Sequence, residues 1–174
     1  MLYRYFLIAI ASAAMLLGIQ IPNFIDQYQK RLDAHLIEVT ENLRGFQEIA
    51  NKYHQGSLEA LIKEHEESAS QTFRGEAVPI RAMYERYKAF RGEQSNMNTN
   101  LAGKIVHVMF GRNRQLLDET VSNYSFNIPL NQEAVLCGAI FAAVGLIIME
   151  TLVKFVVWSI GMTFGSSTSV RRTA

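Results

Sequence analysis

The sequence contains a single cysteine, Cys137, which lies inside a long apolar stretch near the carboxyl end. The polar middle of the chain has no cysteine, so a disulfide framework is excluded there. The formal net charge is +1, so the chain lacks the general positive charge that attracts nucleic acid. Strand-like alternation and repeats at periods of about 20 to 50 residues are also missing. These absences favour an all-helical protein that does not bind nucleic acid.

The sequence also lacks the common motifs of catalysis and of cofactor or metal binding. It has no H-E-x-x-H, G-x-G-x-x-G, P-loop or G-x-S-x-G pattern. His54, His65 and His107 are scattered, and the acidic run Glu64–Glu67 points in several directions around a helix. We therefore predict no catalytic, cofactor-binding or metal-binding residues, no cofactor and no enzymatic activity.

Two apolar stretches stand at opposite ends of the chain, at Tyr5–Ile25 and Ala134–Phe164. Each exceeds or equals the roughly 20 residues that a helix needs to cross a bilayer. The sequence therefore predicts an all-α integral membrane protein with two transmembrane helices and an intervening helical hairpin or small bundle. The predicted parts are transmembrane helix 1 (residues 1–25), an extracytoplasmic helical domain (26–130), transmembrane helix 2 (131–164) and a cytoplasmic tail (165–174).

The first apolar stretch also shares features with a secretory signal peptide. It starts with a basic residue, Arg4, and contains the small residues Ala11-Ser12-Ala13-Ala14. Cleavage there would leave too short an apolar region, and apolar residues continue to Ile25. We predict an uncleaved membrane anchor.

Basic residues near the ends of the spans predict their orientation. The outer ends carry Arg4 and Arg171-Arg172, whereas nothing basic lies between Gln115 and Ala134. Lys30-Arg31, soon after the first span, argues in the opposite direction. We predict that both termini are cytoplasmic and that the middle lies outside.

After the first span the apolar pattern becomes periodic, with steps of three and four residues. This pattern is typical of a helix with one narrow apolar stripe. We predict one long helix that leaves the membrane and continues to Tyr53, with a kink near Pro22. The stripe is a candidate assembly seam, and its members are Ile25, Tyr28, Leu32, Leu36, Val39, Leu43 and Phe46.

Local signals divide the rest of the middle segment. His54–Ser57 reads as a helix stop followed by an N-cap, and a short helix carrying Leu58, Leu61 and Ile62 follows. We predict a loop at Ser68–Gly75, a helix with Pro79 in its first turn, and a turn-rich segment at Gly92–Asn100.

The last part of the middle segment is predicted as a helix from about Leu101 to Asn123. Gly111–Arg114 is a candidate interruption of that helix. An extended connector should follow at Tyr124–Leu130, because Pro129 disfavours helix at the residue before it. Asn131 is a candidate cap for the second span.

Small and charged residues in the spans are candidate membrane helix contacts. Small residues at a spacing of four allow helices to approach closely, and Ala139 and Ala143 have this spacing. Glu150 and Lys154 can pair on one helix face. Three interpretations of that pair stay open: a surface anchor beside Trp158, a buried helix–helix contact, or an ion path. The candidate contacts are Ala14, Gly18, Gly138, Ala142, Glu150 and Lys154.

One polar cluster lies beside the seam, at Arg31-Leu32-Asp33-Ala34-His35. Arg31 and His35 share a helix face, whereas Asp33 points elsewhere, which favours charges that flank a seam over a catalytic set. His35 is the one histidine that we consider for pH sensing.

Two segments carry a resemblance to a known family. They are Ile21–Tyr28, continued by Arg31–His35, and Tyr124–Leu130 before the second span. The chain resembles an uncharacterised bacterial family of inner-membrane proteins, a domain of unknown function. The resemblance implies two transmembrane helices around a helical periplasmic domain, and it implies no activity or ligand.

Two functions remain open at this point. The first is a non-enzymatic structural or interaction protein of the inner membrane, whose outer domain self-associates or docks on a partner. The alternative is an accessory subunit of a membrane transporter or channel complex, with Glu150 and Lys154 in a buried contact. The expected partners are the lipid bilayer and either a second copy of this chain or another membrane protein.

Overall fold

The computed structural model describes residues 2–129 and 131–164, with the backbone alone for residues 163 and 164. Within these residues every regular element is an α-helix, which confirms the predicted all-α class. The predicted tail at 165–174, with Arg171 and Arg172, lies outside the described residues. The described helices are α1 (Leu2–Tyr53), α2 (Leu58–Glu67), α3 (Gln71–Met97), α4 (Leu101–Phe110), α5 (Arg114–Ser122) and α6 (Gln132–Phe164).

The chain divides into two compact units. Unit 1 comprises Met1–Asn23 and Phe126–Ala174, and unit 2 comprises Phe24–Ser125. The amino-terminal part of α1 and the whole of α6 belong to unit 1. The rest of α1 and the helices α2 to α5 belong to unit 2.

Unit 1 contains long apolar helical segments with little internal cover. Both α1 and α6 are long and apolar enough to span a membrane. Large apolar side chains on both helices are exposed, among them Leu17 at 67% and Ile147 at 65%. Such exposed apolar surface is typical of helices that lie in lipid rather than in water.

The predicted long helix is confirmed as one element, since α1 begins at Leu2 and ends at Tyr53 with Pro22 inside it. Its end follows the predicted stop signal. The carbonyl of Ala50 accepts hydrogen bonds from the His54 N–H at 2.8 Å and the Gly56 N–H at 3.0 Å. Gln55 and Gly56 have φ of 53° and 85°, a left-handed turn that ends the helix and favours glycine at its second position.

Side-chain caps define the starts of several later helices. Ser57 Oγ accepts from the Ala60 N–H at 3.1 Å, and Asn100 Oδ1 accepts from the Gly103 N–H at 2.9 Å. These bonds satisfy backbone donors that have no partner inside the first helical turn. Asn131 Oδ1 likewise accepts from the Ala134 N–H at 2.8 Å, so the predicted cap of α6 is confirmed.

The predicted interruption between α4 and α5 is also confirmed. Helix α4 ends at Phe110, and Asn113 caps α5 by accepting from the Leu116 N–H at 3.3 Å. Residues 124–129 are neither helix nor strand, so the helix ends where the connector was predicted to begin, and Leu130, the last residue of that predicted connector, lies outside the described residues.

Three predictions about α3 were wrong. The predicted loop at Ser68–Gly75 is too long, because α3 begins at Gln71. Pro79 therefore lies in the interior of α3 and not in its first turn. Arg74 supports the early start, since its Nη1 donates to the carbonyls of Ser68 at 2.6 Å and Ala69 at 3.0 Å.

The turn predicted at Gly92–Asn100 was wrong for residues 92–97, because α3 continues to Met97. Phe90, Glu93 and Met97 follow one another at helical spacing, and all three are buried. Burial of this face stabilises a helix through residues whose local propensity favours a turn.

The core of unit 2 forms around α1. The candidate seam lies within it: Tyr28, Leu32 and Val39 are fully buried, and Phe46 is partly buried against the same cluster. The cluster also receives residues from α2, α3, α4 and α5, namely Leu58, Leu61, Phe90, Met97, Val108 and Leu116. The seam is therefore covered by helices of the same chain.

Candidate functional site

The core of unit 2 contains a buried polar network around Glu93. The Tyr28 hydroxyl donates to Glu93 Oε1 at 2.5 Å, and His107 Nε2 lies 2.9 Å from the same oxygen. An ionised carboxylate only accepts, so His107 carries its proton on Nε2. The Tyr28 oxygen in turn accepts from the Asn113 N–H at 3.1 Å. The network thus joins α1, α3, α4 and the cap of α5 at one point.

This environment holds the Tyr28 proton firmly in place. Burial raises the pKa of Tyr28 well above its ordinary value, and the hydrogen bond to Glu93 and its charge raise it further. The phenol therefore stays protonated and donates, and it is a poor nucleophile or base. Glu93 is only 6% exposed, and its charge is compensated by two donors. The network is suited to fixing the helices rather than to chemistry.

Sequence reasoning missed this network. It assigned Tyr28 to the seam as an apolar residue, placed Glu93 in a turn and treated His107 as isolated. One signal was present: a tyrosine at a core position needs a partner for its hydroxyl. The partner itself could not be chosen from the sequence, because Glu93 is 65 residues away.

A second polar group surrounds His35, at the edge of the core. His35 Nε2 lies 2.6 Å from Glu119 Oε2, and His35 Nδ1 lies 3.4 Å from Glu38 Oε2. The imidazole stacks on Phe90 at a centroid distance of 5.3 Å. The hydrogen bond from His35 holds the pKa of Glu119 below its ordinary value, and the positive charge of Arg31 adds to the effect. The structure thus places the predicted pH-sensing candidate between two carboxylates.

The neighbouring residues of the polar cluster diverge, as their spacing predicted. Asp33 Oδ1 accepts from Gln94 Nε2 at 3.5 Å, away from His35. Arg31 Nε is buried without a hydrogen-bond partner. Arg31, Asp33 and His35 are therefore not brought together as a ligand or catalytic set.

A polar cavity of about 630 Å³ opens on the Asp33 side of α1. Its wall includes Asp33 with Arg91 and Lys104, so both signs of charge are present. Lys104 Nζ donates to Gln29 Oε1 at 2.8 Å, which uses one of these charges within the protein. The cavity is a solvated cleft without a concentrated charge for one ligand.

The four histidines of the chain lie in separate interactions. His35 and His107 contact Glu119 and Glu93 as described, His54 Nε2 lies 2.8 Å from Glu64 Oε2, and His65 Nδ1 lies 2.9 Å from the carbonyl of Leu61. Within the described residues, no group of three histidine, cysteine or acidic side chains is arranged to hold a metal ion.

The small residues of unit 1 lie where α1 and α6 approach each other. A methyl group placed on Gly18 would lie 2.7 Å from Phe141 Cβ and 2.9 Å from the Cys137 carbonyl oxygen. A methyl group on Gly138 would lie 2.8 Å from Ile19 Cγ1 and 3.1 Å from the Met15 carbonyl oxygen. Only a hydrogen atom fits at Gly18 and Gly138 without displacement, so both glycines allow the close approach of the helices.

The other candidate contacts fall into two groups. Ala14 lies at the same approach, because a methyl group on Gly145 would be 3.0 Å from Ala14 Cβ. Ala142 is half-buried, whereas Ala139 and Ala143 are exposed on α6. These two alanines therefore lie outside the α1–α6 contact.

Glu150 and Lys154 lie together on the surface of α6. The Lys154 Nζ atom is 3.7 Å from Glu150 Oε2, and the two side chains are 81% and 55% exposed, respectively. The structure therefore does not bring this pair into a contact buried within the described chain. Trp158 follows one turn later and is 60% exposed.

In both units, a glutamine of α1 forms hydrogen bonds with the backbone of the connector that follows α5. In unit 2, Gln27 Nε2 donates to the Ser125 carbonyl at 2.7 Å, and the Ser125 N–H donates to Gln27 Oε1 at 3.1 Å. In unit 1, Gln20 Nε2 donates to the Asn127 carbonyl at 3.5 Å. Gln27, near the start of unit 2, is therefore bonded to Ser125, the last residue of that unit.

Comparison with known proteins identifies the family but no activity. Neither the curated proteins nor the solved structures give a match to this chain. One family model, described as a protein of unknown function (DUF2937), matches residues 2–161, which is nearly the whole sequence. The chain therefore belongs to the DUF2937 family of proteins of unknown function.

Proposed function

We propose that this protein is a non-enzymatic interaction protein of the bacterial inner membrane, with α1 and α6 as its two spans and unit 2 outside the cytoplasm. The main observation that supports this proposal is that α1 contains an apolar segment of membrane-spanning length and also forms the centre of the unit 2 core. The same helix therefore belongs to unit 1 at its start and forms the centre of unit 2. A helical domain that is continuous in sequence with a membrane anchor suits a protein that binds a partner at the membrane.

The surface that we propose for docking lies at the end of α1, between α2 and the start of α3. A depression of about 470 Å³ opens there, and its wall includes Ile49, Tyr53 and Phe73. These three side chains are 44%, 66% and 50% exposed. Grouped exposed apolar residues on a folded domain are typical of an interaction site.

The occupant that we propose is a second copy of this chain. A twofold interface uses the same patch on both copies, so charges of opposite sign within that patch can pair with each other across the interface. Lys52 Nζ lies 4.9 Å from the centroid of the Tyr53 ring, and Glu64 lines the same depression while it contacts His54. The patch thus combines apolar side chains with one positive and one negative flank.

Site-specific photo-crosslinking in native membranes tests this proposal. A photoreactive amino acid at Phe73 should give a product with the mass of two chains. The matched control is Val78, which is 71% exposed on the same helix, and it should give much less of that product. Equal yields from the two positions, or a Phe73 product with another protein instead, would contradict the second copy as the occupant.

The predicted orientation is tested by labelling in intact cells. Single cysteines at Ser68 and Ser167 are exposed to an impermeant thiol reagent, with Cys137 replaced by alanine. We expect labelling at Ser68→Cys and none at Ser167→Cys until the cells are opened. The reverse pattern would place unit 2 in the cytoplasm.

The alternative function is that of an accessory subunit of a transporter or channel. Its support is the exposed Glu150–Lys154 pair on an otherwise apolar helix, which a larger partner could bury. A crosslink from Leu152 to another membrane protein, with co-purification of that protein in detergent, would favour this alternative. If Glu150 and Lys154 only anchor α6 at the lipid headgroups, replacement of both residues by serine should not affect co-purification of another membrane protein.

A further inference from the structure

Helix α4 is apolar on both of its faces. Leu101, Ile105 and Val108 pack against the core of unit 2. The opposite face carries Val106, Met109 and Phe110, which are 57%, 57% and 80% exposed. A helix that is apolar all round is normally covered on every side. The outer face of α4 is therefore expected to have an apolar neighbour beyond the chain itself.

The placement of α4 indicates what that neighbour is. Lys104, in its first half, contacts Gln29, and Asn113, just after its end, contacts Tyr28. Gln29 and Tyr28 are adjacent in α1, so α4 crosses α1 instead of running along it. A crossing helix presents its whole outer face at one level of the domain.

That level is the end of unit 2 at which the chain enters and leaves. Phe24 is the first residue of the unit, and its ring lies 5.5 Å from that of Tyr124. Gln27, one turn later, holds Ser125, the last residue of the unit. The contacts of α4 and the turn after it with Tyr28 and Gln29 thus lie within about one to two helical turns of Phe24, the first residue of unit 2 on α1.

The charge around α4 matches an anionic surface. Between Gln94 and Leu117 the sequence has no aspartate or glutamate, whereas it has Lys104, Arg112 and Arg114. Arg112 and Arg114 directly follow the exposed face and are themselves exposed. An apolar helix face with adjacent basic residues is the usual arrangement of a helix that lies in the headgroup region of a bilayer.

We propose that α4 is an interfacial helix, whose Val106, Met109 and Phe110 enter the membrane surface while Arg112 and Arg114 contact anionic lipid headgroups. This inference rests on the proposed function, since it requires α1 and α6 to be membrane spans. It adds a lipid-binding surface on unit 2 to the two spans. The surface would fix the tilt and rotation of unit 2 over the bilayer.

Fluorescence quenching by labelled lipid tests the proposal on the full-length chain. With Cys137 replaced by alanine, a polarity-sensitive probe is attached to single cysteines at Phe110, Val78 or Ile147. The protein is placed in vesicles of phosphatidylethanolamine and phosphatidylglycerol that contain a lipid with a nitroxide near the headgroup or, in a second set, a lipid with a nitroxide deep in the acyl chain. We expect the Phe110 probe to be quenched severalfold more than the Val78 probe.

The three positions separate failure of this inference from failure of the proposed function. Ile147 is 65% exposed on α6, about 20 Å beyond Ala134, and its quenching by the acyl-chain nitroxide reports whether that helix lies in lipid. Quenching at Ile147 with equal, weak quenching at Phe110 and Val78 would overturn the interfacial helix and leave the membrane anchor standing. Absence of quenching at all three positions would overturn the anchor as well.

A second arm tests the role of charge. Arg112→Gln with Arg114→Gln, or replacement of phosphatidylglycerol by phosphatidylcholine, should reduce quenching at Phe110 but not at Ile147. Unchanged quenching in both cases would overturn the assignment of the two arginines to anionic headgroups. A disulfide between the Phe110→Cys residues of two copies, without lipid quenching, would show that a second chain covers α4 and would overturn the proposal.

Discussion

Tyr28 and Glu93 are 65 residues apart in sequence, and their side chains form a 2.5 Å hydrogen bond in the core of unit 2. Tyr28 belongs to α1 and Glu93 to α3, so the bond fixes two helices against each other. Both groups are removed from water, which makes loss of one partner more costly than loss of a surface bond. The loss in free energy of unfolding when this bond is removed therefore shows how strongly the buried network stabilises unit 2.

Replacement of Tyr28 by phenylalanine should lower the free energy of unfolding by about 1–3 kcal/mol. The ring remains, but Glu93 loses one donor and the Asn113 N–H loses its acceptor. Chemical denaturation in detergent measures the change. Tyr53→Phe, at a position that is 66% exposed, is the control and should be close to neutral.

A double-variant cycle shows whether the two side chains act together. Glu93→Gln alone should also destabilise, because it removes the charge that His107 and Tyr28 compensate. The double variant should lose clearly less than the sum of the two single losses. Additivity within about 0.5 kcal/mol would mean that the two residues are not coupled and that the network reading is wrong.

The parts of the fold that were predictable depend on local signals. The long helix α1, its end at Gln55-Gly56 and the caps at Ser57 and Asn131 are each determined by residues within a few positions. The course of α3 was not predictable in this way. Its segment from Gly92 to Met97 has turn-forming residues but remains helical, because Phe90, Glu93 and Met97 are buried against the core.

The polar contacts of unit 2 show the same limit. The sequence indicated that Tyr28 and His35 lie at or beside a packed helix face. It gave no means of choosing Glu93 and Glu119 as their partners, since tertiary packing brings these groups together. The exposed outer face of α4 was also invisible to sequence reasoning, because an apolar residue at helical spacing is equally consistent with a core position.

The pKa of Glu119, which lies below its ordinary value of 4.5, gives unit 2 a defined dependence on acid. The folded state favours the ionised carboxylate, so this contribution to stability is complete above the ordinary pKa. It is lost as the pH falls through the lower pKa of the folded state. The thermal midpoint of Glu119→Gln should therefore approach that of the parent protein as the pH is lowered below about 4.5.

The comparison needs a control for general acid unfolding. Glu41→Gln removes a carboxylate that is 63% exposed and contacts only Arg44 among the ion pairs of unit 2. The difference in thermal midpoint between Glu41→Gln and the parent protein should change little over the same pH range. If Glu119→Gln and Glu41→Gln behave alike, the bond between His35 and Glu119 does not contribute to acid stability.

Three glycine-to-alanine substitutions separate packing from helix propensity in unit 1. Alanine favours a helix over glycine by about 1 kcal/mol, so propensity alone would stabilise all three variants. At Gly18 the new methyl group would meet the Cys137 carbonyl oxygen at 2.9 Å, and overpacking of this kind usually costs about 1–3 kcal/mol. Gly161 has no neighbouring atom within 4 Å. We expect Gly18→Ala and Gly138→Ala to lower the thermal midpoint in detergent, and Gly161→Ala to keep or raise it.

The burial of the seam predicts a sharp contrast between neighbouring positions of α1. Leu36 and Leu43 are 8% and 3% exposed and lie in the core cluster. Aspartate at either position loses the burial of a leucine side chain, about 2–5 kcal/mol, and leaves a carboxylate without a partner. Leu36→Asp and Leu43→Asp should therefore unfold or severely destabilise unit 2.

The matched control for these variants is Glu41→Lys on the outer face of α1. Glu38 is less suitable, because it contacts His35 and Arg86. Glu41→Lys exchanges one exposed ion pair for a like-charge neighbour, and its effect should stay within about 0.5 kcal/mol. Particle mass and thermal midpoint in detergent measure all three variants. Because helices of the same chain cover the seam, the aspartate variants should lose the folded state and not merely an oligomer. A variant that keeps the parent midpoint but halves the particle mass would instead assign the seam to an interface between two chains.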